Sequence, residues 1–153
     1  MPGLFVVNLR GLINTRTVVR DTLRRLNIET RFRATVVPDT PSYRGMLEMA
    51  KEHVAWCESN SELLTELLQK RGRAEGKTAI NQDVLKVLGY KNLGDLAKAL
   101  SNGEITLNAL GVKPSFTLNS PKGGFKRSIR RMYSQGGVLG HNPELPKIIQ
   151  AMI

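Results

Sequence analysis

Apolar and polar positions fall into three textures along the chain, and the first covers residues 1–58. Leu4-Phe-Val-Val-Asn-Leu9 is a short run of strand formers that stops at the turn pair Arg10-Gly11. Val19, Leu23 and Leu26 then recur at i, i+4, i+7, one face of a helix that Thr15 is placed to cap and Asn27 to end. From Arg31 to Val37 the period is two, with Phe32, Ala34 and Val36 on one face and Arg31, Arg33 and Thr35 on the other. Pro38-Asp39-Thr40-Pro41 breaks that strand and opens a helix, with Thr40 as N-cap and Pro41 at the first helical position. Tyr43, Leu47, Ala50 and Val54 supply its apolar face. A third strand is expected over His53 to Glu58, Val54 and Trp56 facing away from Ala55 and Cys57, unless the helix runs on to Val54. The order βαβαβ implies an antiparallel or mixed sheet with both helices on one face, a ferredoxin-like core. The other face must meet solvent, another segment or a partner.

From Ser59 short helical patterns take over. Ser59-x-x-Glu62 reads as a capping box for a helix from Glu62 to Arg71, stopped by Gly72. The polar loop Lys70 to Lys77 follows. Asn81 caps a helix ending at Gly89, Asn92 caps one over Leu93 to Leu100 stopped by Asn102-Gly103, and Thr106 to Leu110 is a turn closed by Gly111. Residues 59–111 thus form a helical insertion. In the third texture, residues 112–153, Pro114 to Asn119 reads as a fourth strand able to pair with the first sheet. Ser120 to His141 is rich in glycine and cations. Asn142 and Pro143 then open a terminal helix that buries Ile148, Ile149 and Met152. The fold class expected is α/β (α+β): a ferredoxin-like core, a helical insertion, and a basic glycine-rich C-terminal arm.

Charge narrows the partners. There are 23 Lys+Arg against 13 Asp+Glu, a net charge of +10 on 153 residues, which attracts polyanions. Hydrophobic residues make up 41%, enough for a core. A membrane is disfavoured, because no apolar run approaches the roughly 18 residues of a spanning helix. The first ten residues lack a basic n-region, so a cytoplasmic location is expected. The single cysteine, Cys57, excludes an intramolecular disulfide.

The Ser120–His141 tract holds Lys122, Lys126, Arg127, Arg130 and Arg131 and no acid. Its glycines let backbone approach a phosphate or sugar, and Phe125 and Tyr133 are placed to stack on unpaired bases. The alternative is a solvated loop, although five like charges repel one another unless a polyanion neutralises them. On the first helix Arg16, Arg20 and Arg24 share a ridge at i, i+4, i+8, flanked by Arg25. Arginine's planar fork suits phosphate. An ordinary charged face, with Asp21 pairing Arg24 or Arg25, reads nearly as well there. Arg31 and Arg33 extend the basic area or simply protect a sheet face, and Lys70, Arg71, Arg73 and Lys77 form a weaker patch.

No chemistry suggests itself. There is no phosphate-binding Gly-x-x-x-x-Gly-Lys loop and no Gly-x-Ser-x-Gly elbow. His53 and His141 lack neighbours at metal-ligand spacing, and Cys57 reads as a core residue rather than a nucleophile. Asp39 suits a cap or turn better than a base, and Trp56 and Met46 suit the core. No enzyme, cofactor, metal or small-molecule substrate is expected.

Asp39-Thr-Pro-Ser-Tyr-Arg-Gly-Met46, following a unit that contains Arg20-Asp-Thr-Leu23, resembles the large-subunit ribosomal protein family called L-thirty in bacteria. Residues 1–58 look like the whole bacterial form. Arg71-Gly-Arg73, Ser120-Pro-Lys-Gly-Gly124 and Gly136-Gly-Val-Leu-Gly140 are similar to landmarks of the longer archaeal form, related to the eukaryotic L-seven. Lys122 stands where that form more usually has arginine. The resemblance implies a structural constituent of the large subunit that lies on ribosomal RNA, near the small 5S RNA and among neighbouring ribosomal proteins. It makes Tyr43 and Arg44 RNA contacts, with an Asp39–Arg44 pair as the alternative. The candidate RNA-binding set is Arg10, Arg16, Arg20, Arg24, Tyr43, Arg44, Lys122, Phe125, Lys126, Arg127, Arg130, Arg131 and Tyr133. A non-ribosomal RNA-binding accessory protein or RNA chaperone is the alternative function. A ligand-binding regulator or enzyme on the same scaffold is a third class.

Overall fold

An apolar run without polar alternation needs cover on both faces, and β1 (Gly3–Asn8) has it: all six residues are buried. The computed structural model describes residues 3–73, 80–107 and 114–153. After β1 come α1 (Thr17–Arg25), β2 (Arg33–Pro38), α2 (Pro41–Met49) and β3 (Val54–Glu58). Then follow α3 (Ser61–Arg71), α4 (Gln82–Leu88), α5 (Leu93–Ser101), β4 (Phe116–Thr117), β5 (Ser128–Met132), β6 (Gly137–His141) and α6 (Leu145–Met152). The fold is mixed α/β with a βαβ-like core. Among the described residues one six-stranded sheet runs β4-β2-β1-β3-β6-β5. β1 is antiparallel to both β2 and β3, β4 is antiparallel to β2, and β6 is parallel to β3 and β5.

Two helical layers cover the sheet. On one face Leu4, Val6, Val37, Val54 and Trp56 pack against Val19 and Leu23 of α1 and Leu47 of α2. On the other, Phe5, Val7, Val36, Ala55 and Cys57 pack with α3, α5 and α6, whose contributions include Leu64, Leu67, Leu100, Ile149 and Met152. The second face is therefore met by the chain's own later helices. Cys57 is buried there, and burial pushes its thiol up to about 12.

Several local signals act as expected. Thr40 Oγ1 accepts from the Tyr43 amide, Asn81 Oδ1 accepts from the Val84 amide, and Gly89 ends α4 at φ 83°. Asn27, just past α1, takes φ 61°. Other expectations need correction. Thr15 does not cap α1; its hydroxyl donates to Ile13 O, and Arg16 occupies the cap without a side-chain bond. Asn60, not Ser59, caps α3, because its Oδ1 reaches the Glu62 amide. Ser59 Oγ instead lies within 2.9 Å of Gly3 O and 3.2 Å of Ser101 O, joining the sheet to the end of α5. Arg31 and Phe32 lie ahead of β2, since Phe32 turns through φ 61° and donates its amide to Asn8 O. Pro143 precedes α6, and Asn142 is fully engaged before it, accepting from Glu144 N and donating to Val138 O. Lys77 and the Thr106 to Leu110 turn beyond Leu107 lie outside the described residues.

The largest departure concerns the expected arm. Its second half is built into the sheet as β5 and β6, with Val138 and Leu139 buried. Two consecutive apolar residues between glycines are a weak strand signal, yet β3 offers an edge that has to be paired. Gly137 allows this pairing: a Cβ there would run into the Arg131 backbone of the neighbouring strand.

Leu64→Ala, which empties a fully buried position of α3, is expected to lower stability by about 2–5 kcal/mol. Val87→Ala, at an exposed site of α4, should stay within about 0.5 kcal/mol. Urea denaturation measures both, and equal small effects would mean that α3 does not close the second face. The Cys57 thiol should react with an aromatic disulfide reagent at pH 8 only as the protein unfolds.

Candidate nucleic-acid interface

Which cations can reach a polyanion depends on what already holds them. Asn8 sets the first group. It is fully buried at the end of β1, where its Nδ2 donates to Ile28 O at 2.7 Å and its Oδ1 accepts from the amides of Arg10 and Gly11. This fixes the loop leading into α1 and turns Arg10 outward, where its Nη1 donates to Glu52 O at 3.2 Å. Arg16 at the cap of α1 and Arg20 and Arg24 on the helix are all exposed. Arg16 stands 3.8 Å from Glu52, and Arg24 Nε donates to Glu29 at 3.0 Å. Arg20 forms no ion pair among the described residues. Exposed pairs of this kind are weak and exchange readily for a phosphate.

α2 adds Arg44. Its guanidinium grips Asp39 through two bonds, Nε to Oδ1 and Nη2 to Oδ2, the latter at 2.7 Å. The hydrogen bond from Arg44 holds the Asp39 carboxyl below its ordinary value of 3.8. Arg44 remains exposed, and Nη1 lies outside the pair with Asp39. Tyr43, expected beside it as an RNA contact, is half-buried against the core between α1 and α2.

The cations of the tract lie elsewhere. β4 and β5 occupy opposite edges of the sheet, so residues 118–127 must cross from one edge to the other. They do so past α6: the amides of Asn119 and Lys122 donate to Met152 O and Ala151 O. Lys122 sits at the tip of a turn closed by Gly124 N to Pro121 O, and Gly123 takes φ 80° as such a turn requires. Lys126 is exposed in the same crossing, and Arg130 and Arg131 are exposed on β5, the outermost strand. Arg127 is 3.6 Å from Glu144 and lies 5.0 Å over the Tyr133 ring.

Two aromatic expectations change with this geometry. Phe125 is not a free stacking platform; its ring lies 6.1 Å from that of Phe32 and packs against the core. Tyr133 already has a guanidinium over its face. Both rings satisfy apolar or cation–π contacts within the chain. The predicted residues thus form two groups. One lies on the α1–α2 face, and the other runs along the α6 side to the β5 edge.

Between the groups lies a cleft the sequence does not reveal. It has a volume of about 290 Å³ and is lined by Arg44, Gly45 and Glu48 of α2, Trp56 and Glu58 of β3, and His141 of β6. Its parts are far apart in sequence and meet only because β6 pairs with β3. Among the described residues no group of His, Cys, Asp or Glu could hold a metal ion. No helix of the described residues is long and apolar enough to cross a membrane.

The family model of ribosomal protein L30p/L7e matches residues 4–54. The large ribosomal subunit protein uL30 of Cenarchaeum symbiosum is 38% identical, with 100% of both chains covered. That of Methanothrix thermoacetophila is 34% identical over 96% of this chain and 97% of its own. That of Thermofilum pendens is 40% identical over 89% and 88%. The chain belongs to the uL30 family. The uL30 model covers β1 to the start of β3, and so Arg10, the α1 ridge, Tyr43 and Arg44. The tract lies beyond that model but within the full-length uL30 alignment.

The Asp39–Arg44 pair makes a pH prediction. A carboxyl held below its unfolded value contributes stability above that value and loses it as the pH falls through the lowered one. Asp39 should therefore titrate below 3.8 in carboxyl-carbon NMR, and Arg44→Gln should return its midpoint toward 3.8. An unchanged midpoint would show that the pair does not form in solution.

Proposed function

We propose that this chain is a non-catalytic structural constituent of the large ribosomal subunit that binds ribosomal RNA and supports subunit assembly and translation. The observation that carries the reading is the full-length uL30 relationship, to which a net charge of +10 adds the electrostatic means. A ribosomal component contributes shape, charge and hydrogen bonds, and need not lower a reaction barrier. The ribosome of the cytoplasm is its proposed location. Large-subunit RNA, with 5S RNA nearby, and adjoining ribosomal proteins are its proposed partners.

Within that reading residues 1–58 act as a ferredoxin-like RNA-binding core, residues 59–111 as a helical insertion, and residues 112–153 as the basic RNA-binding element with the terminal helix. Arg44, Lys122, Lys126, Arg127, Arg130 and Arg131 are the proposed phosphate contacts, with Arg10, Arg16, Arg20 and Arg24 as a second set. Their exposure supports this, as does the weakness of the pairs that some of them make on the surface. Tyr133 serves the interface by holding the Arg127 guanidinium over its ring, while Tyr43 and Phe125 serve it by anchoring their segments to the core.

A ribosomal constituent should sediment stoichiometrically with the large subunit through a sucrose gradient after a moderate salt wash. An RNA chaperone would stay in the light fractions. Replacing Lys122, Lys126, Arg127, Arg130 and Arg131 with Ser should weaken binding to large-subunit RNA. The log–log salt slope should flatten by roughly 0.7–0.9 for each phosphate no longer neutralised. An unchanged slope would remove the tract from the interface.

A further inference from the structure

Glycine inside a helix is less stable than alanine, so an interior glycine calls for a reason. Gly45 lies mid-way along α2, and a Cβ built there meets nothing within 4 Å. Nothing within the described chain requires it. Its surface instead opens on the cleft of about 290 Å³ between α2 and β6. A missing side chain at a cleft wall lets a ligand approach the helix closely.

The other walls say what kind of ligand. Trp56 and His141 are register partners on the parallel strands β3 and β6, so their side chains share a sheet face. That face is the one α1 and α2 cover elsewhere. Trp56 forms the floor and is 8% exposed, whereas His141 stands exposed beside it. A flat ring can therefore lie against the exposed His141 imidazole, with the uncovered edge of Trp56 beneath it. Glu48 and Glu58 also line the cleft, and two carboxylates repel a phosphate while accepting hydrogen bonds from N–H donors. Arg44 stands at the same cleft, its Nε and Nη2 committed to Asp39, leaving Nη1 to take an anion. The volume falls just below the roughly 300–1,000 Å³ of drug-sized pockets and suits one planar heterocycle.

We propose that the cleft binds a single unpaired guanine of RNA. Guanine presents N1–H and the N2 amino group side by side, two parallel donors for a carboxylate. Its ring stacks by His141 over Trp56, its donor edge meets Glu48 and Glu58, its sugar passes over Gly45, and its phosphate meets Arg44. This rests on the reading of the chain as a ribosomal-RNA-binding protein and adds a base-selective site to it.

Trp56 is the single tryptophan, so its emission reports the cleft directly. The full chain is titrated with oligouridine heptamers with and without one central guanosine, and binding to large-subunit RNA is followed in parallel. The guanosine oligomer should change Trp56 emission saturably and bind about tenfold tighter than oligouridine. The double variant Glu48→Gln, Glu58→Gln should lose that preference, the ratio being the readout because it cancels the added positive charge. Gly45→Leu should also lose it. Gly45→Ala should raise Tm, confirming that the glycine serves no internal packing role. Equal binding of both oligomers, or a preference that survives the double variant, overturns the proposal. A silent Trp56 with intact large-subunit RNA binding overturns the cleft alone. Loss of all RNA binding in the native chain overturns the ribosomal reading with it.

Discussion

Everything in this fold follows from the burial of β1. A strand with Phe5 and Val7 on one face and Leu4 and Val6 on the other cannot be stable beneath a single layer of helices. The first helical pair, α1 and α2, covers one face, and the chain must supply a second layer for the other. α3, α5 and α6 meet that need, and the long excursion after β3 is the means of bringing them there. The surface cations are then distributed by this layering. Those on α1 and α2 share one face, while those of the tract follow the C-terminal segment across to the far edge of the sheet.

The polar groups that survive inside are equally constrained. Asn8 is buried in the sheet, yet donates to Ile28 and accepts from two consecutive amides, so it joins the end of β1, the exit from α1 and the Arg10 turn in one cluster. A buried amide so engaged costs little, and an unengaged one would cost much more. The exposed arginines of the neighbouring loop thus stand on a rigid base. Preformed placement of charge lowers the ordering cost of meeting a polyanion.

Local chemistry was legible in the sequence. Thr40-Pro41, Asn81 with Gly89, the alternation through Ala34 and Val36, and Val54–Trp56 set against Ala55–Cys57 each express a preference that needs no distant partner. What stayed hidden depends on residues far apart in the chain. Ser59 looked like a cap, but two carbonyls from Gly3 and Ser101 claim its hydroxyl. Phe125 looked free among charges, but the Phe32 ring, far away in sequence, packs against it beside the same core. Val138-Leu139 is too short and too glycine-flanked to announce a strand, and only the open edge of β3 makes it one. The cleft beside Trp56 shares that origin, since His141 reaches it only through the same pairing.

That pairing also orders events in time. β3 is complete in synthesis well before β6, the strand that seals its outer side, because α3, α4, α5, β4 and β5 are made between them. A nascent chain therefore leaves the ribosome carrying an open hydrogen-bonding edge and a half-clad sheet, vulnerable to annealing with other polypeptides. Closure joins segments remote along the chain, and such long-range pairing forms slowly. Loss of β6 would therefore do more than shorten the chain: it would leave an adhesive seam at the middle of the molecule.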